Sequence, residues 1–107
     1  MTHEAVLFDG RLGTQRIRVW LERRGDGIAL LSHDIGSALV FAFLTDELES
    51  VLEIDAAHTR ALAAALRGGP ADAMQLLANR YRGDSAATTH LRQLLAEHGI
   101  PHRVSLV

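Results

Sequence analysis

The hydrophobic period of this chain changes at Asp55, and that change limits what it can fold into. In the first third of the chain, apolar residues alternate with polar ones. In Arg16-Ile17-Arg18-Val19-Trp20-Leu21-Glu22-Arg23, the residues Ile17, Val19 and Leu21 fall on one side and the charged residues on the other, with Trp20 among them. That is the period of a half-buried strand. After Asp55, apolar residues recur at three and four: Ala61, Leu62, Ala65 and Leu66, then Ala73, Met74, Leu77 and Tyr81, then Leu91, Leu94 and Leu95. That is the stripe of an amphipathic helix. A sheet with one apolar face and helices with one apolar stripe must cover each other, so an α+β domain follows.

Turn chemistry divides these regions. Ala5 to Phe8 is an expected strand before the Gly10 and Gly13 turn, and Gly25-Asp26-Gly27 closes an expected hairpin over residues 15 to 33. Glu49 to Ile54 is a further strand. Asp55 suits the cap of a helix ending at Gly68-Gly69, Pro70 the first turn of a second helix stopped by Gly83, and Asp84 or Ser85 the start of a third that ends at Gly99. The breaks between helices are short, which favours antiparallel neighbours. Ile100 to Val107 alternates again, and Pro101 restricts it to an edge strand or to a strand beginning at Pro101. The stretch Ser37 to Leu44 is apolar all round and suits a helix or a strand equally. The expectation is one domain over residues 1–107: a small, mainly antiparallel sheet, about three C-terminal helices packed on it, and a final edge strand. Leu62, Leu66, Met74, Leu77, Leu91 and Leu94 should bury against Ile17, Val19, Leu21 and Leu30.

Composition narrows the function classes. At 107 residues, the chain has the size of a single core. There is no cysteine, which removes thiol nucleophiles, thiolate metal sites and disulfides. All 11 basic residues are arginine, so a Schiff-base or phosphate-loop lysine is excluded as well. A net charge of -2 argues against nucleic acid as a partner. No apolar run approaches the ~20 residues of a membrane span, and MTHEAVLFDG lacks the basic and apolar regions of a secretory signal, so a cytoplasmic location with no membrane contact is expected.

Candidate chemistry is sparse. His33-Asp34-Ile35-Gly36 resembles the signature of HD-type metal-dependent phosphohydrolases, in which neighbouring His and Asp side chains hold an activating metal. That family implies an all-helical bundle with further ligands, whereas here the pair follows an expected strand and meets a glycine, so a turn that closes the strand is the better reading. His58 and His90 fall in the first turns of separate helices, while His98 and His102 are divided by Gly99 and Pro101, and none has the spacing of a zinc site. Ser32 and His33 are strand neighbours and face opposite ways. Gly10-x-x-Gly13 matches no phosphate-binding fingerprint. No catalytic residue, metal or cofactor is expected.

Charge is more informative. Residues 11–24 hold five arginines against Glu22, whereas residues 25–59 hold seven acids and no arginine. Asp46, Glu47, Glu49, Glu53 and Asp55 crowd within ten residues and form a candidate partner-binding surface. The segments GDGIALLSHDIGSAL, FLTDELESVLEIDAAHTRALAAAL and LLANRYRGDSAATTHLRQLLAEHGIP, in this order over roughly residues 25–102, resemble the immunity proteins of contact-dependent growth inhibition and related polymorphic toxin systems. The resemblance implies a small non-catalytic antidote whose partner is a cognate protein toxin domain, and it carries no particular functional residue across. A small intracellular regulatory or adaptor domain, with a strand edge that offers a route to a dimer, is the alternative, and a metal-dependent phosphohydrolase using His33 and Asp34 is the third reading. The sequence leaves the oligomeric state open.

Overall fold

The computed structural model describes residues 4–36, 47–69 and 73–106. Strands β1 (Glu4–Leu12), β2 (Gln15–Arg24), β3 (Gly27–Ile35) and β4 (Glu47–Ile54) are followed by helices α1 (Ala56–Ala65), α2 (Ala73–Tyr81) and α3 (Ala87–Glu97). A last strand, β5 (Arg103–Leu106), completes a five-stranded sheet of order β1-β2-β3-β4-β5. All neighbouring strands run antiparallel. This is the α+β arrangement expected from the change of period, with β5 at an edge and Pro101 just ahead of it.

The alternation of β2 sets the layering. Ile17, Val19 and Leu21 are buried with Ile28 and Leu30 of β3 and Leu52 and Ile54 of β4, and the helices cover them with Leu62, Leu77, Leu91, Leu94 and Leu95. Leu66 and Met74 pack at the margin of this core rather than within it. Arg16, Arg18, Trp20 and Glu22 take the other face, as period-two geometry requires.

The β2–β3 hairpin turns through Gly25 and Asp26, with Gly25 at φ +60°. Gly27 is needed next to it, since a Cβ there would lie 2.5 Å from the carbonyl oxygen of Ile54. In β1 the register shifts between Val6 and Phe8, so Leu7 forms a bulge. The Leu7 carbonyl leaves the ladder and accepts the amide of Gly83 at 2.7 Å, which ties the α2–α3 turn to the sheet.

Asp55 caps α1 as expected, accepting the His58 amide at 2.9 Å. The helix ends at Ala65, and the left-handed closing position falls one residue before the glycines: Arg67 takes it at φ 62°, while the Arg67 amide bonds to the Ala64 carbonyl and the Gly68 amide to that of Ala63. Helix α3 closes with the same pair of bonds but with Gly99 in the left-handed position. It begins at Ala87, slightly later than Asp84 or Ser85, and the Asp84 carboxylate accepts the Ala86 amide at 2.9 Å ahead of it.

Three strands are longer than the sequence suggests, with β4 beginning at Glu47 and not at Glu49. β1 runs through Gly10 to Leu12, and β3 continues through His33, Asp34 and Ile35. The His-Asp pair therefore lies within a strand and not in a turn that closes one. Ser37 to Leu44, Asp46 and Pro70 lie outside the described residues.

Candidate functional site

Continuation of β3 through His33 and Asp34 sends their side chains to opposite faces of the sheet. Asp34 lies on the face of Ile17, its partner in β2, and accepts the Ser32 hydroxyl at 3.2 Å. His33 lies on the other face, in register with Arg18 of β2 and Glu49 of β4. Two neighbouring residues divided in this way do not chelate one ion, so the dyad that defines the HD signature is not formed.

His33 instead meets acids of β4. Glu47, Glu49, Val51 and Glu53 alternate along one face of that strand, and pairing of Ile35 with Glu47 and of His33 with Glu49 brings two carboxylates to one imidazole. His33 Nε2 lies 2.5 Å from Glu47 Oε1 and 3.8 Å from Glu49 Oε1. The ring is mostly covered, with 26% of its side chain exposed against 57% and 49% for the two glutamates. On the far side Arg18 is drawn towards the Trp20 ring, 4.5 Å from guanidinium carbon to ring centroid.

The other acids of the expected surface have different neighbours. Glu53 is held by Arg24 at 3.5 Å and by Arg103 at 3.3 Å. Asp55, beyond the strand, is occupied in capping α1, and the His58 amide, then the His58 ring, holds its carboxyl below the usual range. Both acids line a cleft of about 540 Å³ with Arg24, His58, His102 and Arg103. Asp46 lies outside the described residues. The four described acids that look alike in sequence are thus a capping group, an arginine-paired group and a histidine-linked pair.

The association of His33 with Glu47 and Glu49 is not visible in the sequence, because it depends on the β3–β4 register. One signal was available: glutamates at alternate positions in a strand must share a face. Elsewhere, His58 pairs with Asp55 and His90 with Asp84, each with a single carboxylate. No protein-family model, curated protein or solved structure matches the chain.

Proposed function

We propose that this chain is a toxin-neutralising immunity protein, a binding module without chemistry of its own that blocks a cognate toxin domain through the Glu47 and Glu49 end of β4. One observation carries the reading: Glu47 and Glu49 stand side by side on one face of β4 with about half of each side chain exposed, whereas Glu53 on the same strand is about one-third exposed and met by two guanidinium groups. Negative potential is therefore concentrated where a basic partner can reach it, and complementary potentials speed association and reject wrong partners. A nuclease toxin, whose substrate cleft is basic, suits this surface. The order of the segments resembling immunity proteins supports the same reading.

Co-expression with the product of the adjacent upstream gene tests it. The wild-type chain should protect cells from that product. Glu47→Arg with Glu49→Arg should reduce protection, slow association and weaken its dependence on salt, while circular dichroism stays unchanged. A harmless upstream product, or one that kills equally with and without this chain, sinks the proposal.

The adaptor reading rests on a different observation. All four residues of β5, an edge strand, are exposed, including Leu106, and such an edge can pair with another strand. Sedimentation showing a concentration-dependent dimer abolished by Leu106→Lys would favour it.

A further inference from the structure

We propose that His33, Glu47 and Glu49 form a binding site for one first-row divalent cation, with zinc the best match. This inference does not depend on the toxin partner, because it concerns the chain alone. Each residue offers one donor atom, and the three atoms lie within 4.8 Å of one another. Tetrahedral zinc bound at about 2.0 to 2.2 Å from each donor sets the donors roughly 3.3 to 3.6 Å apart, so rotations of the exposed glutamates that part Glu47 from His33 and bring Glu49 closer complete the site.

Three features separate this group from an ordinary acidic patch. First, both carboxylates approach the same nitrogen, His33 Nε2, so an ion that replaces the hydrogen bond to Glu47 meets all three donors. Second, the donors stand on paired strands whose register fixes their backbone positions, and the imidazole is the most covered of the three. Only the glutamate side chains are left for the ion to order. Third, two carboxylates and one imidazole on one face combine the oxygen and nitrogen donors that a first-row dication takes.

The donor set also selects the ion. Imidazole nitrogen favours zinc and its first-row neighbours, whereas calcium and magnesium prefer all-oxygen sites. Three protein ligands leave a coordination position for water, the open form of a zinc site. His33, singled out in sequence by its neighbour Asp34, thus takes its partners from across the sheet. Among the described residues, His58 and His90 each meet one carboxylate and lack a third donor.

The test is calorimetric titration of zinc into the full-length, tag-free chain after treatment with chelator. One zinc per chain should bind. His33→Ala should weaken binding at least tenfold, and so should the double variant Glu47→Gln with Glu49→Gln, whose exposed side chains leave the fold unaffected if His33→Ala fails to fold. Asp34→Asn and His90→Ala should bind as the wild type does. Absence of saturable binding, zinc retained by the double variant, loss of binding in Asp34→Asn, or equal affinity for calcium would each overturn the assignment. Because no toxin enters the measurement, its outcome is separate from that of co-expression.

Discussion

The two halves of β4 obey one backbone geometry and serve different ends. From Ser50 to Glu53 the strand is paired on both sides, with β3 and with β5, and its Val51, Leu52 and Ile54 are buried. From Glu47 to Glu49 it pairs with β3 among the described residues, and its glutamates are exposed. The acids follow the same division: Glu53 is balanced by arginine, while Glu47 and Glu49 share a histidine. Acidity along a strand does not by itself mark a surface for a partner. The side chains that the fold brings alongside differ from one acid to the next.

Core truncation is the most severe way to break this comparison. Leu52 is fully buried between β3 and the helices, so Leu52→Ala removes its core contacts and leaves a cavity, costing about 2 to 5 kcal/mol in chemical denaturation. Leu48, half-buried on the same side of the strand, should lose clearly less on truncation. Equal losses would mean that both halves of β4 are structural.

Much of this division was legible in the sequence, and the reasons are local. The alternation of Ile17, Val19 and Leu21 and the stripes of Leu62, Leu77, Leu91 and Leu94 identify the two layers because each periodicity belongs to a few consecutive residues. The extension of β3 through Asp34 was hidden because Ser32 and Asp34 place polar groups on the side where Leu30 and Ile28 are apolar. The burial contrast fades there although the backbone pairing continues. The site was less legible still. His33 and Glu47 are 14 positions apart, and Arg103 reaches Glu53 from 50 positions away. Both contacts follow from strand register and strand order, which periodicity does not specify.

A smaller effect is expected just past the structural half, at Asp55. Its carboxyl is held below the ordinary range first by the His58 amide and then by the His58 ring. With the folded value lower than the unfolded one, the ionised group stabilises the fold at pH values above the unfolded carboxyl value of 3.8. That contribution disappears as pH falls from there through the folded value. Asp55→Asn keeps an oxygen to cap α1 but removes the charge, so it should be less stable than wild type at neutral pH and approach it in acid. A difference that is constant from neutral to strongly acidic pH would show that the charge has no part in the cap.

The smallest effect should come from Glu53, and it sharpens the comparison most directly. Its carboxylate is about one-third exposed and bonded to Arg24 and Arg103, which are more exposed still. Glu53→Gln keeps the shape and leaves both arginines in contact with solvent, so the loss should be about 0.2 to 1 kcal/mol, shrinking as salt is added. Any larger cost would have to come from docking of β5, since Arg103 opens that strand opposite Glu53. Hydrogen exchange of the β5 amides separates the two. Faster exchange confined to Val104 to Leu106 in Glu53→Gln would assign the pair to holding the edge strand, whereas unchanged exchange would leave it as charge balance alone. If Glu53→Gln slowed association with a toxin as much as reversal of Glu47 and Glu49 does, arginine pairing would not be what separates the two halves of β4.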